Sequence, residues 1–164
     1  MIKESHYSKT FDVEGNKYKI DIVSRGIIME GSKILVCKNN TNTFLPGGHL
    51  EFNDNLKDTL KKEIYEELGM ECIIDNYIGC VEVLWEYNKV FHQEIDHVFL
   101  VKGITQKTII NSKEDHISFY WMDIENMEKD VFGPINMRKV VKNVYDGKHE
   151  IQYFYENQLK NPLL

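Results

Sequence analysis

The segment from Gly47 to Met70 constrains the fold of this chain most strongly. It reads GGHLEFNDNLKDTLKKEIYEELGM, and apolar residues recur in it at a strict spacing of four: Leu56, Leu60, Ile64 and Leu68. This spacing is typical of the buried face of an α-helix. Asn55 is a suitable N-cap with Asp58 three residues on, and Gly69 is a suitable stop. The sequence therefore predicts a helix over 56–68 that packs against a core.

Three glutamates, Glu63, Glu66 and Glu67, lie on this predicted helix at the border of its apolar face. Like charges three or four residues apart destabilise a helix by about 0.2–0.5 kcal/mol per pair. One interpretation is a solvated acidic surface, neutralised by neighbouring lysines. The other is a metal site, because three carboxylates and a carbonyl from the preceding glycine turn would suit Mg²⁺ or Mn²⁺. The helix pattern alone leaves both interpretations open.

Composition limits the partners and the location of the protein. The 164 residues carry a net charge of −6, which argues against a nucleic acid polymer or an anionic membrane as the main partner. The three cysteines show no metal-ligand spacing, and no apolar run is long enough to span a membrane. We therefore expect one domain over residues 1–164, located in the cytoplasm.

Strand patterns dominate outside the helix. Alternating or short apolar runs predict strands over 17–23, 26–29, 33–37, 81–87, 91–101 and 117–122. Gly133-Pro134 predicts the start of a second helix that ends at Gly147, whereas the tail over 148–164 supports no assignment. Two helices and several strands predict an α/β/α sandwich with a mixed central sheet.

The acidic segment resembles the Nudix box, the signature of the Nudix hydrolase family. The matching positions are Gly48, Glu63, Ile64, Glu66, Glu67, Gly69 and Met70. The preceding FLPGGHLE resembles the usual lead-in to that box, and FYWMDIENM followed by Pro134 resembles the usual end of the domain. The resemblance favours the metal site over the solvated surface.

The resemblance implies a metal-dependent hydrolase that cleaves the pyrophosphate linkage of a nucleoside diphosphate joined to another moiety. Water would attack phosphorus, and the cofactor would be Mg²⁺, with Mn²⁺ as a substitute. The implied metal ligands are Glu63, Glu66, Glu67 and the carbonyl of Gly48. The substrate would be a small nucleotide-type diphosphate, and a homodimer is one possible assembly.

The general base implied by this chemistry is an acid, and the sequence offers several. Glu63 and Glu67 lie on the helix, Glu94 lies on a predicted strand, and Glu114 lies in a loop where some family members hold an extra carboxylate. The candidate substrate contacts are two basic residues near predicted strands and two residues of the glycine loop: Arg25, Lys38, His49 and Glu51.

Two positions depart from the family pattern. Asp54 stands where the family has Glu, and Lys62 stands where it has Arg. In the family these positions are thought to brace the loop against the helix. An Asp–Lys pair keeps the charges but lacks the bidentate fork of arginine. This departure leaves an alternative function, a Nudix-like module that binds or senses a nucleotide without cleaving it.

Overall fold

The computed structural model describes residues 8–107, 110, 112 and 115–159, and it arranges them as two sheets, two α-helices and one 3₁₀-helix. The helices are α1 (Leu56–Leu68), α2 (Ile135–Tyr145) and the 3₁₀-helix Ile124–Lys129. The first strands are β1 (Ser8–Val13), β2 (Asn16–Ile27), β3 (Met29–Glu30), β4 (Lys33–Lys38), β5 (Thr43–Phe44) and β6 (Gly47–His49). The later strands are β7 (Ile73–Tyr87), β8 (Val90–Lys102), β9 (Ser118–Asp123) and β10 (Gln152–Asn157).

The larger sheet is mixed. Its strand order is β1-β2-β8-β7-β10, and β6 pairs with β2. The pairs β2–β8 and β7–β10 are parallel, whereas β1–β2, β2–β6 and β7–β8 are antiparallel. In the smaller sheet β4 pairs with β3, β5 and β9. The predicted strands are confirmed except for 26–29, because residues 26–27 continue β2 and Met29 begins β3. Strands β1, β5 and β6 were not predicted.

Helix α1 has the predicted bounds. The Asn55 side chain accepts a hydrogen bond from the Asp58 N–H, and Gly69 adopts a left-handed conformation with φ of 70°. Leu60 and Ile64 are fully buried beneath the sheet, near Gly26 of β2. Close packing at this point places α1 beside β2 and β6, and it fixes the position of the acidic residues of α1 relative to β6.

The two helices cover opposite faces of the larger sheet. One apolar cluster contains Leu60, Ile64 and Leu68 of α1 with Phe99 and Val101 of β8. The other contains Met137, Val140 and Val141 of α2 with Val81, Val83 and Val98 of the sheet. This arrangement confirms the predicted α/β/α sandwich with a mixed sheet.

The C-terminal tail, which the sequence did not place, forms β10 at one edge of the larger sheet. It runs parallel to β7, with Tyr155 opposite Glu82 and Asn157 opposite Leu84. The Asn136 backbone N–H, in the first turn of α2, donates to Glu156 Oε2 at 3.1 Å. The tail is therefore docked on both β7 and α2. In the described part of the chain, neither helix is long and apolar enough to cross a bilayer.

Candidate active site

Glu63 and Gly48 are in direct contact. A Cβ atom added to Gly48 would lie 2.3 Å from the Glu63 carboxylate carbon and 2.5 Å from each of its oxygens. No side chain larger than hydrogen fits there without displacing the carboxylate. Gly48 belongs to β6, which is held against β2 by pairing with Ser24. The loop before α1 and the first predicted acid are thus packed together, as expected for one site.

The other two acids of the helix differ in exposure. The Glu67 residue is only 6% exposed, whereas Glu66, one position earlier, is exposed. Glu67 is close enough to Arg25 of β2 for its negative charge to raise the pKa of that guanidinium. A buried acid is not part of a solvated surface. The interpretation of the acidic cluster as a solvated surface is therefore excluded for Glu67.

The donor set suits a divalent cation that also binds water and substrate. Carboxylates and a glycine carbonyl are hard oxygen donors, and the cradle at Gly48 brings Glu63 onto the loop. Over residues 8–107, 110, 112 and 115–159, no three His, Cys, Asp or Glu side chains converge into a ready-made metal cage. Mg²⁺ typically uses one or two carboxylates and completes its octahedron with water and phosphate oxygens. The carboxylates of the acidic helix and the Gly48 carbonyl suit this way of binding Mg²⁺.

The departures from the family pattern form a pair. The Lys62 ammonium donates to the Asp54 carboxylate, and it lies 3.7 Å from Glu51 Oε2. The hydrogen bond to Asp54 raises the pKa of Lys62. The side chains of Asp54 and Glu51 are 18% and 34% exposed. The loop is thus braced against the helix by Asp–Lys where the family uses Glu–Arg.

Arg25 joins the glycine loop to the centre of the sheet. Its Nε donates to Asp96 Oδ1 at 3.1 Å, and its Nη2 lies 3.7 Å from Glu94 Oε1. Its Nη1 donates to the carbonyls of Leu45 and Gly47 at 3.3 and 3.4 Å. Burial opposes the charge, but Asp96 and Glu94 outweigh it and raise the pKa of Arg25. The predicted phosphate contact is thus a guanidinium already engaged by two carboxylates and two carbonyls.

Asp96 is the most deeply buried acid of this cluster. It is fully buried, and its Oδ2 has no hydrogen-bond partner among the described residues. Burial and the neighbouring Glu94 raise the pKa of Asp96 to about 8, against the opposing effect of Arg25. The carboxyls of Asp96 and Glu94 thus share one guanidinium, and the site holds a proton more tightly than an exposed acid would.

A cavity of about 310 Å³ opens beside this cluster. We call it the sheet cavity, and its lining includes Arg25, Asn42, Phe44, Trp85, Glu94 and Gln158. Two aromatic rings, amides and one carboxylate are a lining suited to a flat polar heterocycle. One face of Trp85 is already covered, because His92 stacks on it with ring centroids 4.1 Å apart.

The remaining predicted residues lie around this site with different exposure. Lys38 is exposed at the end of β4. The His49 side chain is 39% exposed, and its Nε2 lies 3.6 Å from Asp21 Oδ1. Glu94 lines the sheet cavity, as described above. Glu114 lies outside the described residues.

Sequence reasoning did not identify two groups of this site. Asp21 is 2% exposed and lies within 3.4 Å of His92 Nδ1 and 3.2 Å of Lys19 Nζ. Asp21 alternates with Ile20 and Ile22 in a predicted strand, and this pattern carries no sign that the acid is buried. Gln158 lies in the tail that had no assignment, and no local signal connects it to the site. Its position depends on the pairing of β10 with β7.

Comparison with known proteins identifies the family. A family model described as NUDIX domain matches residues 21–144. An 8-oxo-dGTP diphosphatase of Buchnera aphidicola subsp. Schizaphis graminum is 28% identical over 110 residues, which cover 63% of this chain and 77% of that protein.

Solved structures share the fold. The MutT protein from Methanosarcina mazei Go1 superposes with a TM-score of 0.61 at 19% identity, covering 85% of this chain and 99% of that one. The E. coli ORF135 protein gives a TM-score of 0.60 at 18% identity, covering 77% and 89%. The family match takes in the acidic helix, the glycine loop and α2. The chain therefore belongs to the Nudix family of pyrophosphohydrolases.

Proposed function

We propose that this protein hydrolyses the pyrophosphate linkage of a nucleoside diphosphate joined to another moiety, with Mg²⁺ or Mn²⁺ as cofactor. The observation that carries the proposal is the contact of the Glu63 carboxylate with Gly48, beside the buried Glu67. This contact unites the acidic helix and the glycine loop in one site. The family membership makes pyrophosphate hydrolysis the reaction to test.

The metal would be held by Glu66, Glu67 and the carbonyl of Gly48, with Glu63 beside them. When bound, such a cation neutralises charge on the phosphates and polarises the phosphorus under attack. The lysine–aspartate brace at Lys62 and Asp54 fixes the loop that carries Gly48. Arg25 fixes the same loop from the other side through the Gly47 carbonyl.

Glu63 is the acid that we propose as the general base. A base must reach the attacking water, and the Glu63 residue is partly exposed. Glu67 is buried, and the carboxylate of Glu94 is already engaged by the Arg25 guanidinium. Glu94 and Glu114 are the next candidates if Glu63 is excluded.

The substrate would span the two parts of the site. The sheet cavity is large enough for a nucleobase, and its rings at Phe44 and Trp85 would contact the base. The phosphates would then lie toward the glycine loop, within reach of His49. Lys38 is a second exposed cation for the same role, and Glu51 would contact the substrate from the loop.

A substrate panel tests the proposal. Nucleoside triphosphates, 8-oxo-dGTP, ADP-ribose, NADH and diadenosine polyphosphates would be incubated with Mg²⁺ or with EDTA, and nucleoside monophosphate release would be quantified. The oxidised nucleotide is included because the relative from Buchnera is an 8-oxo-dGTP diphosphatase. We expect metal-dependent turnover of at least one compound. Absence of turnover across the panel with Mg²⁺ and Mn²⁺ would contradict it.

The alternative of a non-catalytic nucleotide sensor depended on Asp54 and Lys62. Their side chains pair in the structure, which supports hydrolysis over this alternative.

A further inference from the structure

The C-terminal strand contributes a wall to the sheet cavity although it lies beyond the family match. The match ends at residue 144, whereas β10 begins at Gln152. Gln158 follows β10 directly and lines the cavity together with Glu94 of β8 and Arg25 of β2. The family match therefore says nothing about this part of the cavity.

The position of Gln158 is fixed by its backbone and by its side chain. Its backbone N–H donates to the Leu84 carbonyl at 2.9 Å, which extends the β10–β7 pairing by one residue. Its Nε2 donates to Glu156 Oε1 at 2.8 Å. The other oxygen of Glu156 accepts from the first turn of α2 at Asn136. Gln158 is thus held by a carboxylate that also binds α2, next to Pro134 in the cavity wall.

This arrangement leaves the carboxamide oxygen of Gln158 as an acceptor. The amide nitrogen is committed to Glu156, and among the described residues Oε1 has no hydrogen-bond partner. Glu94, another lining residue, contributes a second acceptor. The lining also contains the donors of Arg25 and Asn42. Two acceptors beside such donors favour a base edge that presents two neighbouring N–H groups and one carbonyl.

We propose that Gln158 is a specificity residue, which accepts a hydrogen bond from an N–H group on the base and so selects guanine-type bases. The Watson–Crick edge of guanine carries two neighbouring donors, N1–H and the exocyclic amine. Uracil presents a single donor between two acceptors, and adenine presents a donor beside an acceptor. The inference rests on the proposed function for the identity of the ligand as a nucleotide, but it concerns binding and requires no cleavage.

The test measures binding of nucleoside monophosphates in EDTA, by calorimetry, so that neither metal nor turnover enters the result. The variant Gln158→Met keeps the length of the side chain and removes the acceptor. The matched control is Gln93→Met, because Gln93 lies on β8 outside the cavity and pairs with Glu82. Melting temperatures of both variants would show that the fold is retained.

We expect the wild type to bind GMP more tightly than AMP or UMP. Gln158→Met should weaken GMP binding by roughly three- to tenfold, the effect of one lost hydrogen bond, with little change for AMP. Gln93→Met should leave the ratio of GMP to AMP affinity unchanged. A structural effect of Gln158 would weaken all bases alike, so the ratio separates the two.

Two results would overturn the inference: an unchanged ratio of GMP to AMP affinity in Gln158→Met, which includes an equal loss for every base, or no nucleotide binding by the wild type at millimolar concentration. Selective binding without hydrolysis of any compound in the substrate panel would instead overturn the proposed function and leave the role of Gln158 standing. Hydrolysis of a panel compound without base selection would overturn the role of Gln158 and leave the proposed function standing.

Discussion

The acidic helix and the sheet cavity differ in how far apart their residues lie in the chain. Gly48, Glu63 and Glu67 belong to one continuous segment, and the turn and helix between them set their geometry. The cavity gathers residues from positions as distant as Arg25 and Gln158. The first region is thus built by local rules, and the second by strand order. Arg25 connects them, since it binds both the Gly47 carbonyl and Asp96.

The largest effect is expected at this connection. Arg25→Gln leaves the buried Asp96 and the half-buried Glu94 without their shared cation. Removing one partner of a buried ion pair typically costs about 3–5 kcal/mol in the free energy of unfolding. Urea denaturation at pH 9, where Asp96 is ionised and forms the ion pair, would measure the loss. Arg138→Gln is the matched control, because Arg138 donates only to the backbone carbonyls of Phe132 and Asp130 among the described residues. Equal losses of unfolding free energy in the two variants would show that the carboxylates of Asp96 and Glu94 add no stability through Arg25.

The second effect concerns the acidic helix alone. Glu67→Gln should lower kcat by at least about 100-fold, because we propose that this buried carboxylate holds the catalytic cation and an amide would hold it far more weakly. Steady-state rates with the best substrate of the panel would measure it. Glu71→Gln removes an acid whose side chain is 78% exposed just beyond the helix, and it should leave the rate unchanged. An active Glu67→Gln variant would exclude Glu67 from the site.

The third effect concerns the cavity side and depends on pH. Asp96 has a pKa of about 8 in the folded protein, above its ordinary value of 3.8. The native state therefore holds this proton more tightly, and the stability that it contributes is lost as the pH rises from about 4 to about 8. Asp96→Asn removes that loss and keeps an acceptor for Arg25.

Between pH 6 and pH 8.5 the variant should gain about 2–3 kcal/mol in unfolding free energy relative to the wild type. Denaturation curves at the two pH values would measure it, with the exposed Asp123→Asn as control. A constant difference between Asp96→Asn and the wild type across this range would show that Asp96 is ionised throughout.

The same contrast explains what the sequence could predict. The bounds of α1, its Asn55 cap and its stop at Gly69 were predicted correctly, because all three depend on neighbouring residues. The ion pair of Arg25 with Asp96 was not predicted, because Asp96 is 71 positions away and becomes adjacent only through the parallel pairing of β2 with β8. The tail over 148–164 was left without an assignment for the same reason. Its weak alternation became a strand only by pairing with β7.

The smallest effect is expected for the brace. Lys62→Arg restores the residue of the family pattern, but Lys62 already pairs with Asp54. We therefore expect kcat/KM to change by less than about threefold, as for an exposed ion pair of low energy. Lys61→Arg, beside it and paired with Glu71, is the control. A tenfold gain specific to Lys62→Arg would show that the lysine loosens the site.

The most direct test of the account is a titration with Mn²⁺, followed by electron paramagnetic resonance, because the central claim is that the acidic helix face binds a divalent cation. The wild type would be compared with the double variant Glu66→Gln/Glu67→Gln and with Gly48→Ala, whose added methyl would displace Glu63. We predict saturable Mn²⁺ binding by the wild type, weakened by at least about tenfold in both variants. Equal Mn²⁺ affinity in all three proteins, or no binding by the wild type, would contradict the account.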